Sequence, residues 1–154
     1  NIWYNLRERR YEPITLIDYK QAKNYCEWRS NVVSEKLGVE VIYRLPTPRE
    51  WEMIAHEIWK KKEGRQIRSL SRLRKYLLKA DESYYLQSRE YPKNLVYDLF
   101  SNVSEMTATK GIAKGGSNFV LLKQESLKTD VKYRQPNKYL GFRCVAEIKR
   151  TNDR

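Results

Sequence analysis

The chain is poor in the residues from which most metal and redox sites are made. It has one histidine, His56, and two cysteines, Cys26 and Cys144. A lone histidine cannot build a zinc site without thiolates or carboxylates beside it, and the sequence signals no such grouping. The cysteines stand too far apart for a CxxC redox or zinc motif. Two readings stay open for them: buried free thiols, or a crosslink. A crosslink would close a loop over most of the chain, stabilise by about 4 to 5 kcal/mol in the chain-entropy model and require an oxidising compartment. No apolar run approaches the length that spans a bilayer, so no transmembrane segment is expected. No internal repeat or low-complexity tract is visible. The chain opens on Asn1 rather than Met and shows no signal-peptide pattern. It therefore reads as processed or cut from something longer, with any targeting signal lost.

What is present bounds the class. The 154 residues suffice for a single domain, 1–154, with one core. The hydrophobic share of 40% is ordinary for a globular protein. The formal net charge of +12, with a pI near 9.7, is the strongest compositional signal. It points either to a solvated basic surface that meets an acidic neighbour or to a polyanion partner.

Taken in order, residues 1–13 carry aromatics and charges without a clean period and read as a loop or edge. Thr15 is expected to cap a helix, with Asp18 as its reciprocal partner. Tyr19, Ala22, Cys26, Val33 and Leu37 fall near one face of that helix, which turns Cys26 inward, and Gly38 can end it in the left-handed conformation. Residues 39–43 read as an extended connection. Thr47-Pro48-Arg49-Glu50 then signals a second helix, with Thr47 as N-cap, Pro48 in the first turn and Glu50 closing a capping box. Trp51, Ile54, Ala55, Ile58 and Trp59 form its apolar stripe, a structural role for both tryptophans.

Residues 60–90 change character. Lysines and arginines crowd a segment in which Ile67, Leu70, Leu73 and Leu77 recur at helical spacing. This basic amphipathic helix either solvates its charges or docks an acidic partner through Lys61, Arg65, Arg68, Arg72 and Lys75. Residues 95–100 read as a short apolar strand or turn. Three glycines between Gly111 and Gly116 call for sharp bends or a close approach. Residues 119–122 read as a buried strand and 123–138 as a polar surface loop. Phe142, Cys144, Ala146 and Ile148 alternate, which predicts one half-buried strand over 140–148 with Cys144 inward.

Five blocks then line up in order over residues 13–144: Pro13-Ile14-Thr15 into Asn24-Tyr25-Cys26-Glu27-Trp28; Arg44-Leu45-Pro46-Thr47-Pro48-Arg49-Glu50-Trp51-Glu52; Val96-Tyr97-Asp98-Leu99 into Ser101-Asn102-Val103-Ser104-Glu105-Met106; Gly115-Gly116-Ser117; and Gly141-Phe142-Arg143-Cys144. Together they resemble the formylglycine-generating (sulfatase-modifying factor) family. The resemblance implies an α+β fold like that of C-type lectins: small, mostly antiparallel sheets, two or three helices and much irregular chain. It makes residues 60–90 a basic insertion in place of a glycine-rich loop. The family's N-terminal strands are absent, so the domain is expected to be N-terminally incomplete. It also implies a disulfide between Cys26 and Cys144.

The family's oxidation of a substrate cysteine to formylglycine uses copper held by two cysteines just after the Gly-Gly-Ser block. Soft thiolates suit Cu(I). Here those positions fall on Val120 and Glu125, beside a retained Ser117, and the related iron branch needs several histidines. The resemblance therefore implies a pseudoenzyme with no catalytic residues and no copper. Ser104 and Met106 at the usual aromatic positions resemble the non-catalytic Bacteroidetes members, which include gliding-motility and type IX secretion lipoproteins. That comparison implies an exported chain in the periplasm, outer membrane or cell surface, partnered by other proteins of a larger assembly rather than by nucleic acid. A calcium site at Asn102, Val103 and Glu105 is implied in the same way, because oxygen ligands suit that ion. The other reading has Glu105 bonding loop amides without a metal. A copper-dependent oxidase and a polyanion-binding module are the alternative functions.

Overall fold

A computed structural model describes residues 13–60, 99, 103–116 and 127–149 of the chain. Two helices and six short strands lie among them. Helix α1 spans Tyr19–Leu37. It starts later than the expected cap at Thr15, because Leu16 takes a left-handed φ of 60° that no helix continues through. Asp18 takes over as N-cap, accepting from the Gln21 amide at 2.8 Å while the Gln21 side chain accepts from the Asp18 amide. Gly38, at φ 67°, ends the helix as expected, its amide donating to Ser34 O at 2.9 Å. The buried face is narrow. Ala22 and Cys26 are buried, whereas Leu37 is exposed at the helix end.

The extended connection expected at 39–43 is strand β1, Val41–Arg44, paired antiparallel with β6, Val145–Ile148. Among the described residues the outer edge of β1 does not meet another strand. Ser34 Oγ accepts from the Val41 amide at 2.8 Å, and Ser30 Oγ accepts from the Tyr43 amide at 2.7 Å. Two serines one helical turn apart thus satisfy alternate amides of an edge strand, which is how α1 is fastened to it.

Helix α2, Pro48–Lys60, follows directly. Its capping box forms as expected: Thr47 Oγ1 accepts from the Glu50 amide, and Glu50 Oε2 accepts from the Thr47 amide at 2.8 Å. Trp51 and Ala55 are buried and Ile54 is half-buried, so the first part of the predicted stripe faces the core. The side chains of Ile58 and Trp59 lie outside the described residues, as do the basic segment 61–90 and the strand expected at 119–122.

The second sheet has the order β4-β3-β2-β5. Strand β2 is Ser104–Met106, β3 is Ile112–Lys114, β4 is Val131–Lys132 and β5 is Leu140–Phe142. The β2–β3 and β3–β4 pairs are antiparallel, but β2 and β5 run parallel, so this sheet is mixed. Two expectations need correcting. The span 140–148 is not one strand: it breaks at Arg143 and Cys144, and its halves serve different sheets. That is why alternation fails in the second half, where Ala146 and Ile148 are exposed. The stretch 123–138 is also more than a surface loop, since its described part holds β4 and the buried Leu127.

The core cluster joins Ala22 and Cys26 of α1 to Leu45, Met106, Ala113 and Leu140. It is α+β, as expected, and short strands with irregular chain position its polar centre. No helix among the described residues is long and apolar enough to cross a membrane.

Candidate functional site

All three residues of β2 are buried, including the charged one, Glu105. A buried carboxylate must be paired or it is strongly destabilising. Arg143 Nε donates to Oε2 at 2.6 Å and Nη2 to Oε1 at 2.5 Å, a bidentate fork that matches the carboxylate plane. The Trp51 indole N–H donates to Oε2 at 2.7 Å. Trp51 comes from α2 and Arg143 from the break between β5 and β6. One carboxylate on the central strand therefore ties the second helix to the junction of the two sheets.

A second buried charge stands on the neighbouring strand. Lys114 has a side chain only 1% exposed. Its Nζ lies 2.6 Å from Glu52 Oε1, 2.7 Å from Asp130 Oδ1 and 2.8 Å from Lys128 O. Three ammonium protons meet three acceptors, which satisfies the group. The next residue, Gly115, has φ 93°, and a Cβ there would stand 3.2 Å from both Leu99 O and Trp51 Cζ2. The backbone passes so close to the tryptophan ring that only glycine fits without strain. Gly116 is the last described residue of this loop.

The third cluster is the thiol pair. Cys26 is buried on α1, Cys144 is half-buried at the break between β5 and β6, and their sulfurs lie 3.3 Å apart as free thiols. Burial, then its contact with Cys26, pushes the Cys144 thiol up to about 12. Burial raises Cys26 as well, against the opposing effect of the contact with Cys144.

The other predicted site residues divide sharply. The calcium reading requires an oxygen of Glu105 turned towards a cation, and both oxygens face Arg143 and Trp51 instead. A guanidinium already matches the carboxylate's charge, so Glu105 as placed does not fit a calcium ligand. Its partners are also side chains rather than the loop amides of the other reading. Val103 is buried beside Gly141, and Asn102 lies outside the described residues. Ser117, Val120 and Glu125 lie outside them too, as do Lys61, Arg65, Arg68, Arg72 and Lys75. Among the described residues no three His, Cys, Asp or Glu side chains converge to hold a metal.

Sequence reasoning missed Lys114 and gave Trp51 and Arg143 no polar role. Nothing local marked Lys114, because a lysine beside two glycines ordinarily carries its ammonium out to solvent, and its partners Glu52 and Asp130 are distant in sequence. For Arg143 and Glu105, 38 residues apart, no local signal existed.

The fold and its polar centre define an α+β scaffold in which buried ion pairs hold the described loops. Residues 4–148 match the family model of the sulfatase-modifying factor enzyme 1-like domain. The chain belongs to that family. No curated protein and no solved structure matches it.

Proposed function

We propose that this chain is a non-catalytic member of the family, serving as a structural or interaction component of a cell-envelope assembly of the gliding-motility and type IX secretion kind. The observation that carries this reading concerns sulfur. The chain has two cysteines, and they face each other at 3.3 Å. The positions where the family's copper thiolates would fall are Val120 and Glu125, whose side chains offer no sulfur. Export fits the same pair, because adjacent thiols crosslink in an oxidising compartment. Glu105, neutralised by Arg143, serves the scaffold in this reading rather than a cation.

The test is a Cu(I) titration alongside incubation with a cysteine peptide of the sulfatase type. We expect no stoichiometric copper binding dependent on Ser117 or Glu125, and no formylglycine by mass spectrometry. Turnover lost on substituting Ser117 would establish the oxidase reading and end this one.

One observation favours a second reading, a polyanion-binding module. The net charge is +12, and lysines and arginines concentrate between Lys60 and Lys79. Counterion release would make such binding fall steeply with salt. Heparin affinity unchanged between low and moderate salt would count against it.

A further inference from the structure

Among the described residues the two-stranded sheet is protected on one side only. Ser30 and Ser34 cover the outer edge of β1. The phase of the ladder fixes what β6 presents on the other side. The Lys149 amide donates to Glu40 O at 3.0 Å, and the register pairs Val41 with Ile148 and Ile42 with Glu147. Antiparallel pairs alternate between bonded and non-bonded positions. Val145, Glu147 and Lys149 therefore point their backbone groups at β1, and Ala146 and Ile148 point theirs away from it. Among the described residues nothing bonds those outward groups. Residues 146–149 are all exposed, and Ile148 is 63% exposed although it is a large aliphatic residue. An uncovered edge of this kind is a template for another strand.

The side chains say which strand. On one face of the sheet Arg44 bonds Glu147, and Lys149 bonds Glu40 at 2.8 Å. On the other face Ile148 lies opposite the buried Val41. We propose that β6 pairs antiparallel with β6 of a second copy of this chain, with Ile148 on the two-fold axis. In that register Ile148 and Ile148 of the partner subunit exchange both backbone bonds. Glu147 stands opposite the partner's Lys149, and Lys149 opposite the partner's Glu147. The charge row becomes Arg44, Glu147, the partner's Lys149, the partner's Glu40, alternating in sign across four strands. The apolar row becomes Val41, Ile148, the partner's Ile148, the partner's Val41. Centring the axis on Glu147 would instead set two carboxylates face to face, and like charges directly opposite are destabilising.

The contact is small, so binding is expected in the range of about 10 to 500 µM, below that of a standard-sized interface. At about 0.15 M salt the Debye length of about 8 Å screens most of the repulsion between two chains of net charge +12. Sedimentation equilibrium of the chain over that concentration range should show the average mass rising from 18.6 kDa towards twice that value. Ile148→Asp places two carboxylates on the axis and should leave a monomer throughout. Met53→Asp, an equal charge change at an exposed position on α2, should associate like the parent. Amide exchange at Ala146 and Ile148 should slow as concentration rises. A parent that stays monomeric overturns the proposal. So does association indifferent to Ile148→Asp. Amides already protected in dilute monomer would mean that a strand of the chain itself occupies the edge, and would overturn it as well.

Discussion

Arg143 and Trp51 share a carboxylate, yet losing the first should cost more than losing the second. Arg143 supplies the only positive charge bonded to Glu105 among the described residues. Arg143→Ala would strand an anion whose side chain is 7% exposed, and breaking a buried pair by removing one partner costs about 3 to 5 kcal/mol. Trp51→Phe keeps most of the ring in the core and removes one bond to a charged acceptor, about 1.5 to 3 kcal/mol. Glu105→Gln in the Arg143→Ala background should recover part of the loss, because a neutral amide no longer needs a counterion. Urea midpoints of the three variants decide the matter. Equal costs for Arg143→Ala and Trp51→Phe would show that the charge pair is not what stabilises this centre. Lys114 illustrates the opposite case. Its partners Glu52 and Asp130 are 27% and 47% exposed, so water can replace the ammonium around them. Lys114→Met, which keeps volume and removes the charge, should therefore be milder than Arg143→Ala, about 1 to 3 kcal/mol.

At the scale of the element, α1 and α2 are held to β1 by different chemistry. The α1 hydrogen bonds to β1 come from neutral hydroxyls. Ser30→Ala with Ser34→Ala would leave the Val41 and Tyr43 amides unpaired, and the unmet donors cost about 1 to 3 kcal/mol each. Hydrogen exchange at those two amides should accelerate selectively; unchanged exchange would mean that another acceptor replaces the hydroxyls. The α2 contact is ionic. Arg44 forks onto both oxygens of Glu50 at 2.7 and 2.6 Å, and this, ahead of the bond from the Thr47 amide, lowers the Glu50 carboxyl to about 2. A depressed carboxyl stabilises the fold above its ordinary value, 4.5, and that contribution disappears as pH falls through about 2. Glu50 is more than a third exposed, so solvent screening limits the contribution to about 1 kcal/mol or less. Glu50→Gln should lower stability at neutral pH and converge with the parent near pH 2. The α2 start was legible in the sequence because Thr47, Pro48 and Glu50 are signals within one turn. The α1 start was not: Thr15 and Asp18 can both cap, and the left-handed Leu16 decides between them. The break at Arg143 was equally hidden, since a period of two persists through a change of sheet. The family blocks located Glu105 and Arg143 without showing that they meet, because that pairing is made only when β2 and β5 lie side by side.

At the scale of the whole molecule, the two sheets of the described residues meet at the break between β5 and β6, and the thiol pair sits there. Cys26 and Cys144 are separated by 118 positions in the chain. Exchange with oxidised glutathione would remove two protons and two electrons from the pair, form one S–S bond and release two glutathione thiols. The crosslink would restrict most of the unfolded chain, and a loop of that length corresponds to about 4 to 5 kcal/mol in the chain-entropy model. The reduced pair behaves differently with pH. A thiol raised above its ordinary value, 9.0, stabilises the fold while protonated, and that contribution is lost as pH climbs through about 12 for Cys144. The gap between oxidised and reduced protein should thus be large at neutral pH and widen further above pH 9, and Cys144→Ser should abolish it. Denaturant midpoints with and without reductant, read at neutral pH and again above pH 9, measure both parts. A pair that stays reduced in excess oxidised glutathione would show that the junction holds its sulfurs apart from the bonding geometry. Export would then lose its physical support, because an oxidising compartment would do nothing for this fold.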